Sequence, residues 1–295
     1  MSKGLDRIPE KELAISTDIG APKIEIDSVI KIYKRGHIEV AALRGLSCKF
    51  YAGEIAVIVG PSGCGKTTLL NLIGGLDRPN SGKIFVNGEN ICGYTDKMLE
   101  KYRRVNIGYV FQFMNLIPEL NAVENIGLPL LLMGTPSRER DERVETLLKL
   151  VGLSDREKHK PDELSGGEQQ RVAIAAALAN NPEVILCDEP TGELDSDSKI
   201  MIMEFLRDVI KEYPNKTIIV VTNDTELKKI ADRLYYIRDG NISHELKKEE
   251  LQKQIERTDK IGEDKVIISE KFLRELRELQ FMIKNKIDKL ENEYK

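Results

Sequence analysis

Three unbroken runs of apolar, largely β-branched residues punctuate the chain: Ile55–Val59, Val184–Cys187 and Ile218–Val221. Each gives way abruptly to glycines or polar side chains. Short runs without alternation predict strands buried on both faces. The first leads through glycines into a predicted helix that starts near Lys66 and ends around Gly74 and Gly75. Strands alternating with helices imply an α/β fold with a mostly parallel sheet, in which ligands bind at the carboxyl ends of the strands. Ahead of this core, Ile24, Ile26, Ile30 and Ile32 share one parity with Ser28 between them, and Glu25, Asp27, Lys31 and Tyr33 share the other. That alternation predicts a half-buried strand, and a second strand-rich stretch runs through Leu46, Cys48 and Phe50. Between Asp96 and Ala179 the spacing is mainly helical, as in Arg143–Val151, and Ser165-Gly166-Gly167 opens a further helix.

These patterns divide the chain into a loosely ordered arm over 1–22, a folded body over 23–244 with a helical subdomain at about 113–170, and a charged helical extension over 245–295. In the extension Leu276, Leu279, Ile283 and Leu290 fit alternating spacings of three and four, with Lys286 interrupting the seam; a solvated or packed helix accounts for them as well as a coiled coil does.

Composition narrows the function. A formal charge of −4 gives no global basic footprint, so no nucleic-acid partner is expected. Cys48, Cys64, Cys92 and Cys187 lack any paired metal-ligand spacing and fit a reducing, cytoplasmic setting. The longest apolar stretches, Ile126–Gly134 and Val172–Ala179, are too short for the ~18–20 residues of a bilayer span. Work at a membrane therefore calls for another chain to cross it.

The chemistry begins with GPSGCGKTT, Gly60–Thr68, which matches the phosphate-binding pattern G-x-x-x-x-G-K-[ST] between a buried strand and a helix. Glycines let consecutive backbone N–H groups turn toward phosphate oxygens, and the helix amino end adds partial positive charge. Lys66 then reaches the outer phosphates and the Thr67 hydroxyl meets Mg²⁺. In EVILCDEPTGELD, Glu183–Asp195, an apolar strand ends in two adjacent carboxylates. Asp188 suits a metal held through water, and Glu189 suits a base for an attacking water. The last stretch, IIVVTNDTE, sets Asn223 where two readings compete: an N-cap boxed by Glu226, or an amide that meets a nucleotide phosphate.

LSGGEQQR, Leu164–Arg171, lies just before the acidic strand, and the order phosphate loop, LSGG, CDEP resembles the ATP-binding cassette (ABC) ATPase family over about 23–244. The resemblance implies a P-loop NTPase of ABC type: a mostly parallel core, an antiparallel β subdomain and a helical subdomain. It implies ATP and Mg²⁺ as ligands and two chains closing around two nucleotides. Gly60, Ser62, Gly63, Cys64, Gly65, Lys66, Thr67 and Thr68 would hold the phosphates, and Tyr33 would stack on adenine. Ser165, Gly166, Gly167 and Glu168 would face the nucleotide of the other copy; an exposed glycine pair, otherwise a poor helix start, would thereby be explained. Asp195 would act across the dimer. Gln112, taken as the end of an apolar strand YVFQ, would meet the metal and attacking water together with Thr67 and Asp188. Family members carry a histidine that contacts the γ-phosphate where this chain has Asn223, which implies slow hydrolysis. Cys64 stands where serine is common, and two readings stand side by side: a thiol beside a helix amino end with a lowered pKa that alkylates less once ATP is bound, or an inert small residue whose backbone alone matters.

Within the family, Arg103–Gly134 and Gly74–Gly88 look like the lipoprotein-release and macrolide-exporter group. Members of that group work with a transmembrane permease, which places such a chain peripherally on the inner face of the cell membrane. Phe113–Pro118 and Ile126–Leu132 would supply part of the permease groove, and the extension offers a surface for an additional partner. A regulatory ABC protein that uses ATP occupancy as a slow switch is the alternative. Co-purification with a membrane subunit separates the two.

Overall fold

A computed structural model of the chain describes residues 20–36, 38–192 and 194–253. Most of the expected amino-terminal arm, and the leucine pattern after 253, lie outside the described residues.

The chain opens with a long antiparallel pair, β1 (Ile24–Arg35) and β2 (Ile38–Phe50), and then enters β3 (Ile55–Val59) and α1 (Lys66–Ile73). β4 (Ser81–Val86) and the short β5 (Glu89–Asn90) return to the first pair and complete a four-stranded sheet in the order β2-β1-β4-β5. α2 (Asp96–Asn106) leads into β6 (Ile107–Val110), after which come α3 (Ala122–Leu132), α4 (Ser137–Leu150) and α5 (Gly166–Leu178). β7 (Val184–Asp188), α6 (Ser196–Glu212), β8 (Thr217–Thr222), β9 (Arg233–Arg238) and β10 (Asn241–Lys247) finish the described body. β10 crosses the boundary expected at 244, and Leu251 beyond it is buried in the core.

The second sheet runs β10-β9-β3-β8-β7-β6, with every pairing from β9 to β6 parallel. β3, β7 and β8 are buried along their whole length, as unbroken apolar runs require. Successive side chains serve opposite faces. Ile55, Val57, Ile185, Ile218 and Val220 join α3, α4 and α5 in one apolar cluster, whereas Ala56, Ile58, Leu186, Ile219 and Val221 join α1, α2 and the antiparallel sheet in another. The parallel sheet is thus the shared floor of two cores.

Three expectations change here. The parity predicted for β1 breaks at Ser28, whose φ of 52° marks a bulge: its N–H donates to Ser47 Oγ at 2.9 Å, and Val29 takes the buried position due to Ile30. The run YVFQ leaves the sheet early, so Gln112 lies two residues beyond the end of β6 rather than in it. α2, expected within one helical block, is separated from α3 and α4 by β6 and packs Leu99 and Tyr102 into the other core.

Candidate functional site

β3, β7 and β8 are neighbours, so their carboxyl ends bring three distant segments to one place. Residues 60–65 join β3 to α1, with Gly63 and Gly65 at φ of 77° and 105°. At Gly65 only glycine fits: its conformation is left-handed, and an added Cβ would stand 2.5 Å from the Ala42 carbonyl oxygen of β2. Gly65 is also the N-cap of α1 and offers no side-chain cap, which leaves the first N–H groups of the helix for an outside acceptor.

Lys66, the first residue of α1, is buried, and its Nζ donates to Gly60 O at 2.8 Å, Pro61 O at 3.2 Å and Asn223 Oδ1 at 2.8 Å. The Thr67 hydroxyl donates to Asp188 Oδ1 at 3.2 Å. Burial raises the pKa of Asp188 above the usual carboxylate range, and the charge of Glu189 pushes the same way, against the Thr67 hydroxyl and Lys66. Glu189 itself has a left-handed backbone, φ 47°, with its N–H donating to Val221 O at 2.9 Å. The turn sends its side chain toward the end of β8, where Oε2 accepts from the Thr222 hydroxyl at 2.9 Å and the Asn223 N–H at 3.0 Å.

Gly65, Lys66, Thr67, Glu189 and Asn223 line one cleft of about 700 Å³, whereas Gly60, Cys64, Asp188 and Thr222 are not among its lining residues. Of the residues read from the sequence, Ser62, Gly63, Gly65, Lys66, Thr67, Thr68, Gln112, Glu189, Asn223 and Tyr33 meet there. Tyr33 is 42% exposed, its hydroxyl donating to Asp77 Oδ2 at 2.9 Å; partial burial, followed by the pull of Asp77, raises the pKa of its phenol. A flat, accessible ring beside the phosphate loop is what a stacked base needs.

Asn223 is not the helix cap. The following 3-10 turn, Thr225–Ile230, is capped by Asp224, whose Oδ1 accepts from the Glu226 N–H at 2.9 Å. Thr222 still belongs to β8, so the cap falls one residue later than the box reading expected, and the Asn223 amide is directed to Lys66.

At Cys64 the reactive-thiol reading fails and the inert one fits. Its thiol is buried, with an added Cβ on Gly60 meeting Sγ at 2.9 Å, and desolvation raises its pKa despite the nearby Lys66. The side chain is packed under the loop, which removes the basis for a reactive thiol.

Ser165, Gly166, Gly167, Glu168 and Asp195 are not among the residues that line the cleft. Nor is the glycine pair a poor helix start. Ser165 Oγ accepts from the Glu168 N–H at 3.3 Å and Glu168 Oε2 accepts from the Ser165 N–H at 2.8 Å, closing a capping box at the head of α5. Arg156 Nε donates to the other Glu168 oxygen at 3.1 Å. Asp195 caps α6 with its side chain alone, accepting from Ser198 N–H at 2.9 Å and Ser198 Oγ at 2.8 Å. Lys199 and Asp224, which sequence reasoning missed, line the cleft and pair at 3.0 Å. Asp224 was legible as the third polar residue after an apolar run; nothing in sequence signals Lys199.

A family model described as ABC transporter matches residues 43–192. The chain is 43% identical over 219 residues to the lipoprotein-releasing system ATP-binding protein LolD of Bacteroides fragilis, covering 74% of this chain and 99% of that one. It is 44% identical over 229 residues to the macrolide export ATP-binding/permease protein MacB of Azoarcus sp., covering 78% of this chain but 35% of that longer one. Among solved structures, a dimeric post-hydrolysis state of the ATP-binding cassette MJ0796 bound to ADP and Pi is similar, with TM-score 0.71 and 42% identity, over 76% of this chain and 98% of that chain. MJ0796 is a protein of Methanocaldococcus jannaschii. The fold, the phosphate loop on the parallel sheet and these matches together identify the chain as a member of the ABC transporter family, an ATP-binding cassette ATPase.

Proposed function

We propose that this chain closes as a homodimer around two Mg-ATP and drives a separate membrane permease. The observation that carries the reading is the single cleft in which Lys66, Thr67 and the free amino end of α1 lie beside Glu189 and Asn223. The loop N–H groups and Lys66 bind the phosphates. A water oxygen attacks the γ-phosphorus, the bond from that phosphorus to the bridging oxygen breaks, and its electron pair leaves with ADP. Glu189 takes the water's proton.

The Thr67 hydroxyl and Asp188, with Gln112 nearby, form a small set of hard oxygen donors. Among the described residues no three His, Cys, Asp or Glu gather as a metal cage. Such a set fits Mg²⁺, which keeps waters and takes substrate phosphates as further ligands. When bound, the ion supplies charge neutralisation across the outer phosphates.

Dimer formation is supported by the position of Ser165, Gly166, Gly167 and Asp195 outside the chain's own cleft, and by the dimeric assembly named for MJ0796. In the capping box the Ser165 hydroxyl accepts from Glu168, which leaves its proton to donate to a phosphate held by the second copy. Glu168 serves this turn by bracing it. A permease partner is supported by MacB, whose name joins ATP-binding and permease functions, and by a second cleft of about 350 Å³ lined by Tyr109, Phe111, Ile117, Leu128 and Leu132. Phe113, Leu131 and Leu132 are exposed around it, an apolar surface suited to a cytoplasmic helix of the permease. No helix among the described residues is long and apolar enough to cross a membrane, so this chain would reach the inner face through that contact.

Hydrolysis is slow in this reading because Asn223 offers Lys66 a neutral amide where a histidine would serve. The test is Mg-ATP binding and size-exclusion analysis of the full chain and its Glu189→Gln variant. Tight ATP binding, with an ATP-dependent dimer in the variant, is expected; failure to bind ATP, or a monomer at saturating ATP, overturns the proposal.

A further inference from the structure

Thr222, the last residue of β8, is fully buried beside the cleft residue Glu189 and carries a hydroxyl whose proton has a fixed destination. The Asp224 N–H donates to Thr222 Oγ1 at 2.9 Å, occupying the hydroxyl as an acceptor, and Oγ1 in turn donates to Glu189 Oε2 at 2.9 Å. The same carboxylate oxygen receives the Asn223 N–H at 3.0 Å. Both donors fall on Oε2. Oε1 has no partner among the described residues and is left for a water.

We infer that Thr222 is a positioning residue for ATP hydrolysis: its hydroxyl fixes one oxygen of Glu189 so that the other faces the attacking water. The inference rests on the proposed role of Glu189 as the base.

Three features make the arrangement directional. The Thr222 backbone is paired with Val59, the residue that precedes Gly60, so the anchor of the base belongs to the strand beside the one that carries the phosphate loop. Asp224, which supplies the N–H, is itself fixed by its contacts with the Glu226 N–H and Lys199. The left-handed turn at Glu189 leaves its side chain pointing at β8, where without Thr222 only a backbone N–H would hold it. A β-branched residue at a strand end needs no hydroxyl for its backbone conformation, and valine keeps the branching while removing both hydroxyl bonds. The hydroxyl is therefore the feature to test.

Single-turnover conversion of ATP to ADP by the full chain, with Mg²⁺ present and protein in excess, is compared for the parent, Thr222→Val, Thr222→Ser and Glu189→Gln. ATP affinity is measured alongside. Misplacing a catalytic group costs on the order of 10–100-fold, so Thr222→Val is expected to slow the chemical step by about that factor while ATP affinity stays within about 2-fold. Thr222→Ser, which keeps the hydroxyl, is expected to recover at least half of the parent rate. Should Thr222→Val fail the thermal-unfolding check, Thr222→Ala replaces it in the same comparison with the serine variant. A valine or alanine variant at the parent rate, or a serine variant as slow as either, overturns the inference. If Glu189→Gln hydrolyses ATP at the parent rate, it is the underlying assignment of the base that falls.

Discussion

Lys66 and Asn223, 157 positions apart in the chain, are joined by a 2.8 Å hydrogen bond in which the ammonium donates to the amide oxygen. The bond joins the start of α1 to the end of β8 and sets a neutral acceptor against the one cation of the phosphate loop. A histidine at this position carries a proton-bearing ring with longer reach, and when charged it repels the lysine instead of accepting from it.

Asn223→His is accordingly expected to raise the rate of ATP turnover, on the order of 10-fold, by supplying a group that can carry charge near the transferred phosphoryl. Steady-state phosphate release by parent and variant is the measurement. An unchanged rate would show that the amide is not what limits hydrolysis.

Asp188→Asn removes a buried carboxylate whose folded pKa is raised by desolvation. For a raised carboxylate the sign runs against the usual case. The charge costs stability at neutral pH, and the cost disappears as the pH falls through the folded pKa toward the unfolded value. The variant should therefore unfold at a higher temperature than the parent at pH 7, with the gap narrowing as the pH approaches 4. Under the proposed metal-holding role of Asp188, its hydrolysis should fall by about 100-fold or more. Differential scanning fluorimetry across pH, with a phosphate-release assay, checks both halves.

Labelling of the four thiols should follow packing rather than distance from the phosphate loop. Cys48, Cys64 and Cys187 are buried, whereas Cys92 is half-buried. Brief alkylation of the native chain at pH 8, read by peptide mass spectrometry, should modify Cys92 first. Cys64 should lag by about 10-fold or more with or without ATP, because a raised pKa and lost access both suppress the thiolate.

Gly167→Ala places a methyl group 2.6 Å from Ser198 Oγ, the atom that donates to Asp195. Overpacking of this kind costs about 1–3 kcal/mol. ATP-dependent dimerisation should weaken with it, because the heads of α5 and α6 are pushed apart. Adding Ser198→Gly should relieve the clash and recover thermal stability, keeping the backbone N–H that caps at Asp195 and losing only the hydroxyl bond to it, and light scattering with Mg-ATP in the Glu189→Gln background shows whether dimerisation recovers with stability.

Sequence made the phosphate loop, the acidic strand and the three buried runs legible because each is determined locally: short β-branched runs have few alternatives, and the loop pattern carries its own backbone geometry. What stayed hidden depends on residues far away. Ser28 bulges because Ser47 on the next strand accepts its N–H. Whether Asn223 or Asp224 caps the 3-10 turn depends on where β8 stops pairing with β3, and both residue types cap well. Cys64 sits near a helix amino end, as expected, but packing beneath the loop raises the pKa that helix charge would lower. β9 and β10 went unread because charged residues bound β9 at both ends, and because β10 is mostly exposed at the sheet edge.

The central strands divide their side chains between two apolar clusters, alternate residues of each strand going to opposite clusters. A slip of one residue along any of them would exchange the membership of both clusters at once, so sliding is the motion this platform resists most. Whatever travels between the nucleotide cleft and the rest of the molecule must go sideways, through tilting helices and the short connections at the strand ends. Mechanical compliance is thereby confined to the rim, above a floor that behaves as a single plate.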